Sequence, residues 1–252
     1  MKVTIITVCF NSAATIEDTI QSVLNQDYTD IEYLIVDGVS TDGTLEKIQK
    51  YKDRIAGIVS EKDKGLYHAI NKGINMAKGD VIGLLHSDDV YDGVAVISQV
   101  VATLKATNAE SLYADLLYVD KSDLNVVRRY WKSKTYKHGL FIKGWMPPHP
   151  TFFVKREVYK RLGMFHLALK SAADYELMLR FLHKHKISAA YLPRVIIKMR
   201  VGGKSNVSLW NRFVGNQEDR KAWKMNGLQP GLFTLIRKPL SKISQFYKRK
   251  LK

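Results

Sequence analysis

The chain has 252 residues, 46% of them apolar, enough for one large core with an appendage, and it has no uncharged apolar run near the ~18 residues that span a bilayer. Its formal charge of +16 is unevenly placed: residues 1–100 hold 9 Lys or Arg against 15 Asp or Glu, a net of −6, whereas residues 101–252 hold 31 against 9, a net of +22. The single cysteine, Cys9, excludes an internal disulfide, and its place in an apolar run reads as a buried thiol, not a nucleophile.

The first predicted element is a β-rich strand over residues 3–10, which follows Met1 and Lys2 directly without a signal peptide, so a cytosolic chain is expected. Ser12 or Thr15 can cap a helix that carries Ile16, Ile20, Val23 and Leu24 at helical spacing up to Gln26. A strand over 31–36, a helix over 44–51, a short strand over 55–59, a helix over 66–77 and a strand over 81–85 follow in turn. Strands alternating with helices predict an α/β, Rossmann-like, doubly wound and mostly parallel sheet. No repeat or low-complexity segment interrupts it.

Ligands of such sheets bind beyond the carboxyl ends of the strands. Asp37 follows the second strand, Glu61 and Asp63 follow the third, and Asp88 and Asp89 follow the fourth. One acidic strand end could serve a turn or a helix dipole, but three facing one crevice are harder to dismiss. Adjacent carboxylates are tolerable where a hard cation neutralises them, and Mg²⁺ or Mn²⁺ takes one or two carboxylates plus substrate phosphates. A metal that holds a diphosphate is therefore expected at Asp88 and Asp89. Lys64, beside the same crevice, is a candidate phosphate contact or simply a solvated turn lysine.

The segments TVCFNS, VDGVSTDGT, EKDKGLYHAINKGINMAKGD and LLHSDD occur in the order and spacing of family 2 glycosyltransferases, which the chain resembles from about residue 3 to residue 200. The resemblance implies a GT-A fold and inverting transfer from a nucleotide-diphosphate sugar with Mn²⁺ or Mg²⁺. It makes Asp37 similar in position to the carboxylate that recognises the nucleobase and Asp88 the principal metal ligand, with His86 standing where Asp-x-Asp would begin. Val8, Phe10, Asp37, Asp63, Lys64 and Asp88 form the expected nucleotide-sugar site.

Inverting transfer also needs a base for the acceptor hydroxyl. In SAADYELMLRFLHKH, Ser171 can cap a helix with Asp174 in its first turn and Leu177, Met178, Phe181 and Leu182 on its apolar face. The family's base opens this kind of helix, so the resemblance implies Asp174, although position alone would let it merely complement the helix dipole. In GWMPPHPTFF, residues 144–153, Trp145 and His149 are candidate acceptor contacts, with a packed loop as the alternative. MRVGGKSN, residues 199–206, reads as a loop closing over a diphosphate or as an ordinary turn.

Residues 1–226 are expected to form the transferase domain, with a nucleotide-sugar half over 1–100 and an acceptor and base half over 101–226, followed by a tail over 227–252. From residue 228 onward the tail holds seven Lys or Arg and no acid among interleaved apolar residues, with Pro239 splitting it into two short helices. Such a segment suits an anionic membrane surface, at about 1 kcal/mol per nearby basic residue, with a solvated tail or a partner-docking helix as the alternatives. These features predict a cytoplasmic enzyme, peripheral on the inner face of the membrane, that moves a sugar to a glycan or polyprenyl-linked acceptor in bacterial surface-polysaccharide synthesis. A nucleic-acid-binding module would use the basic RRYWKSK, residues 128–134, but no nucleic-acid motif accompanies it and no such partner is expected. A sugar nucleotidyltransferase would need a glycine-rich basic amino-terminal loop and would leave Asp174 idle.

Overall fold

The computed structural model describes residues 1–202 and 209–231, together with 234 and 238, and of 209–216 the backbone alone. The β-branched runs form four strands, β1 (Val3–Cys9), β2 (Ile31–Asp37), β3 (Gly57–Ser60) and β4 (Val81–Leu84), lying parallel in the order β3-β2-β1-β4. All seven residues of β1 are buried, as expected of a central strand covered on both faces. Helices α1 (Ile16–Leu24), α2 (Thr44–Gln49) and α3 (Leu66–Met76) make the crossovers, and α1 buries Ile16, Ile20 and Val23 at helical spacing. The register sets Cys9 opposite Asp37 and Asp37 opposite Ser60, so three carboxyl ends finish level at one rim.

The second half adds elements whose short strands carry little periodicity. These are β5 (Asp89–Tyr91), α4 (Val96–Thr107), β6 (Ser111–Val119), β7 (Val127–Trp131), β8 (Phe153–Lys155) and α5 (Arg156–Leu162). They are followed by α6 (Ala173–Met178), which runs on as a π-helical turn over Leu179–Lys184, then β9 (Ala189–Arg200) and α7 (Leu209–Met225). The sheet continues β4-β8-β6-β9-β5, with β7 paired to β6. Strands β6 and β9 are parallel, whereas β8, β5 and β7 pair antiparallel to their neighbours. The β6–β9 register shifts between Ala114 and Leu116, where Pro193 of β9 lacks an N–H to give the ladder. Gly83 of β4 admits the Phe153 ring of β8: a Cβ there would come within 2.3 Å of it.

One sequence expectation changes, at the start of α6. Ser171 does not cap α6 with its own side chain; the helix starts at Ala173, and the Glu218 carboxylate of α7 accepts hydrogen bonds from the Lys170 and Ser171 N–H groups and the Ser171 hydroxyl at 2.6–2.8 Å. Described residues of the segment expected as the tail touch the rest of the chain. Leu228 packs on the core, Thr234 is buried and donates to the Ile142 carbonyl, and Lys238 pairs with Asp219 at 2.6 Å while its ammonium sits 3.6 Å from the centre of the Tyr175 ring. Pro239 and the rest of the basic tail lie outside the described residues, as do 203–206 of the MRVGGKSN loop. In RRYWKSK, Arg128 pairs with Asp120 and Arg129 lies over the Tyr118 and Trp131 rings, so both guanidinium groups are engaged within the chain. Among the described residues no helix is long and apolar enough to cross a membrane.

Candidate active site

The level strand ends build one wall of the site. Asp37 is fully buried, and its oxygens accept from the Ser40 N–H and hydroxyl, from the Ser60 hydroxyl and, at 3.5 Å, from the Cys9 thiol. Burial would raise its pKa, but these hydrogen bonds bring it below the usual carboxylate value. The same burial, with the Asp37 charge, pushes the Cys9 thiol far up, which makes it inert. Val39 sits in the left-handed region, φ 65°, where a β-branched residue is strained, and the turn presents it 48% exposed alongside Phe10 at 57%. Two apolar side chains held out at strand ends are suited to a flat ring. Val8 is buried inside β1 and contributes through the core.

The segment after β3 is set by ion pairs. Asp63 meets Lys72 at 2.6 Å and His68 at 3.0 Å, and Lys72 also meets Glu61 at 2.8 Å. Burial would lower the Lys72 pKa, yet the two carboxylates raise it overall. Lys64 is exposed in the turn ahead of α3, where Gly65 takes φ 116°.

The HSDD loop between β4 and β5 is tied down at four points. Thr15 donates to the Ser87 carbonyl at 2.8 Å, the Ser12 and Ser87 hydroxyls bond at 2.8 Å, Thr19 donates to the Asp89 carbonyl, and Arg200 of β9 donates to the Asp88 carbonyl at 2.8 Å while pairing with Asp18. The two neighbouring carboxylates are thereby separated by environment. Asp89 is 0% exposed, with no hydrogen bond to either oxygen among the described residues, and burial together with the Asp88 charge pushes its pKa well up. Asp88 is half-buried and its carboxylate makes no hydrogen bond among the described residues, so it is the accessible one. Among the described residues no group of three or more His, Cys, Asp or Glu side chains is arranged to hold a metal by itself. One accessible carboxylate fits a cation that takes most of its ligands from substrate phosphate and water.

Across from this loop stands Asp174, in the first turn of α6. Its Oδ2 lies 3.0 Å from Nδ1 of His149, and its Oδ1 accepts from the Tyr67 hydroxyl of α3 at 3.3 Å. Burial would raise the Asp174 pKa, but the charge and hydrogen bond of His149, with Lys238 and the Tyr175 N–H, hold it well below the usual range. Burial first, then repulsion from His149, lower the His86 pKa against the pull of Asp88 and Asp174. Four groups from the HSDD loop, the proline-rich turn and α6 therefore share one electrostatic neighbourhood.

Trp145 is part of an aromatic cluster, with Tyr113, Tyr136 and Phe141 rings centred 5.9, 6.0 and 6.4 Å away, as in the packed-loop alternative. His149 leaves that loop and reaches Asp174. Tyr67, Arg200 and Glu218 were not singled out from the sequence. Each acts through a partner more than 40 residues away, for which local periodicity gives no signal.

Residues 4–163 match the profile of Glycosyl transferase family 2. The chain is 31% identical over 180 residues to the Mycobacterium tuberculosis (strain H37Rv) glycosyltransferase Rv1514c, covering 71% of this chain and 68% of the relative. It is 40% identical over 92 residues to TuaG of Bacillus subtilis (strain 168), named for teichuronic acid biosynthesis, covering 35% of this chain and 36% of that one. Among solved structures it superposes on Staphylococcus aureus TarS 1-349 in complex with UDP-GlcNAc with a TM-score of 0.70 at 17% identity, covering 99% of this chain and 72% of that one. The mannosyltransferase PcManGT of Pyrobaculum calidifontis, in complex with GDP-Man and Mn²⁺, gives a TM-score of 0.68 at 22% identity over 94% of this chain and 68% of its own. These likenesses show the GT-A fold.

Proposed function

The chain belongs to Glycosyl transferase family 2, and from that premise we propose that it transfers a sugar, with inversion, from a nucleotide-diphosphate donor to a hydroxyl of a glycan or polyprenyl-linked acceptor in surface-polysaccharide synthesis. The observation that carries this reading is the mutual proximity of Asp88, His86, His149 and Asp174, with Nδ1 of His149 3.0 Å from Oδ2 of Asp174. Phe10 and Val39 would flank the nucleobase, with Asp37 shaping the turn behind them and Asp63 and Lys64 at the near edge. A divalent cation, Mn²⁺ or Mg²⁺, would be held by Asp88, with Asp89 buried behind it, and would neutralise charge on the departing diphosphate. Asp174 would take the proton of the acceptor hydroxyl as its oxygen bonds to the anomeric carbon. The bond from that carbon to the diphosphate breaks on the opposite face, and the nucleoside diphosphate leaves with the electron pair.

A screen of UDP-, GDP- and dTDP-sugars for released nucleoside diphosphate, with the product anomer read by NMR, tests the reading. One donor class is expected to stand out, with inverted configuration in the product; a retained configuration would overturn the single-displacement reading.

Membrane association is proposed for the basic tail. Deleting 239–252 spares the docked Leu228, Thr234 and Lys238 while removing the charges at Lys242, Lys248, Arg249, Lys250 and Lys252. The truncated enzyme is expected to keep transfer to a water-soluble acceptor and to lose salt-sensitive binding to phosphatidylglycerol vesicles. Vesicle binding that is unchanged would remove the tail from that role.

A further inference from the structure

The carboxylate of Asp174 is gripped from two sides by elements unrelated in sequence. The side chain of Asp174 is 19% exposed and that of His149 30%, so both reach solvent while their contact is partly shielded. Because Asp174 is held ionised, the proton between them belongs on Nδ1 of His149, which donates to Oδ2. The other oxygen is taken by Tyr67, whose ring stacks on Phe165 with centroids 5.5 Å apart, fixing the direction of its hydroxyl.

His149 is itself held rigidly. It lies in Pro147-Pro148-His149-Pro150, where proline fixes the backbone on both sides, with Pro148 at φ −63°. The turn it opens is anchored by Thr151, fully buried, whose hydroxyl accepts from the Ala114 N–H of β6 at 3.0 Å and lies within donating distance of the carbonyls of Ala114 and Pro148. The strand thus positions the turn, the turn positions the imidazole, and the imidazole meets the carboxylate.

We propose that His149 is a positioning residue for the base: its Nδ1–H, opposed by the Tyr67 hydroxyl, fixes the rotamer of Asp174 so that the remaining lone pairs of the carboxylate face the acceptor hydroxyl. This role rests on Asp174 being the base and differs from direct acceptor contact, which the sequence alone suggested for His149. A short, two-χ side chain at the start of a six-residue helix has other rotamers open to it, and reactive geometry is sensitive to displacements of about 1 Å. Two donors from separate elements restrict that freedom.

The test uses the full chain with His149→Ala, His149→Asn and Asp174→Asn side by side. Binding of UDP and of GDP, each with Mn²⁺, is measured by calorimetry, and kcat and KM are measured with the donor that the screen identifies. His149→Ala is expected to lower kcat by on the order of 10²-fold, with nucleotide affinity and donor KM within a few-fold of wild type. His149→Asn places an amide N–H near the position of Nδ1 and is expected to recover most of that loss. Full kcat in His149→Ala would overturn the positioning role. Asparagine no better than alanine would also overturn it, because the imidazole itself would then be required as the proton acceptor. Should His149→Ala not fold, Tyr67→Phe removes the opposing hydroxyl alone, and an unchanged kcat there overturns the clamp. Asp174→Asn separates the two levels. Activity in that variant defeats the base reading, whereas an inactive Asp174→Asn beside an unimpaired His149→Ala defeats only the positioning of it.

Discussion

Asp174→Asn is expected to leave nucleotide binding within a few-fold of wild type while transfer falls by about 10²–10⁴-fold, the range that general-base catalysis supplies. The asparagine keeps the shape and can still accept from Tyr67 or His149, so the clamp stays occupied, but its amide cannot take the acceptor proton. Donor recognition is assigned to the strand ends and the HSDD loop, whereas Asp174 comes from α6 in the second half of the chain. The low pKa of Asp174 bears on how this base works. A carboxylate held below its usual range is ionised throughout the neutral region, so it is always ready, at the cost of proton-transfer driving force. Its ionisation is therefore not expected to shape the neutral part of a pH–rate profile. The measurement is calorimetric titration of nucleotide with Mn²⁺ followed by a transfer assay on the same preparation. Near-normal transfer would show that the proton leaves by another route, and lost nucleotide binding would show that the residue builds the pocket.

The parallel half of the sheet was legible because its strands are continuous apolar runs and its helices keep a 3.6-residue stripe. Boundaries moved by only a residue or two, as where the strand expected over 55–59 is observed as Gly57–Ser60. The acidic strand ends were legible for a related reason: a carboxylate closing a buried run stands out against the run itself. Environment was not legible. Asp88 and Asp89 are adjacent and chemically identical, yet β5 pairing turns the second into the sheet, where it is sealed, and leaves the first half-buried. Asp37 shows the same limit, since only the register of β1, β2 and β3 reveals that Cys9 and Ser60 flank its carboxylate. The second half was harder because β8 is three residues long and the pairing of β9 shifts register around Pro193, so the burial of β9 keeps no steady two-residue alternation. Glu218 could not be found as the anchor of the segment leading into α6 because it lies 47 residues from Ser171 and acts only once α7 has docked.

Asp88→Asn is expected to abolish the metal-dependent increment of nucleotide affinity and to reduce turnover by orders of magnitude, with thermal unfolding unchanged. The expectation follows from what surrounds the carboxylate. Its main chain is anchored by the Arg200 guanidinium, and its side chain makes no hydrogen bond among the described residues, so the substitution leaves the loop anchors in place. The group that remains is neutral, and a neutral amide is a poor partner for a hard dication beside a diphosphate. Nucleotide titrations with Mn²⁺ and with EDTA read this without any turnover: wild type is expected to bind more tightly with the ion, and Asp88→Asn to bind alike in both. Asp89→Asn is expected to behave differently, because its carboxyl is sealed in the sheet, away from any bound nucleotide. A substitution at a buried position does not change what faces the nucleotide, so metal-linked affinity is expected to survive, and any loss should appear in thermal stability. The pair thus tests the ranking of Asp88 over Asp89 that the resemblance implies. If Asp89→Asn loses the metal increment while Asp88→Asn keeps it, the ligand assignment is reversed. If wild type binds nucleotide and turns over equally well in EDTA, the crevice works without a cation, and Asp88 must act on the donor directly.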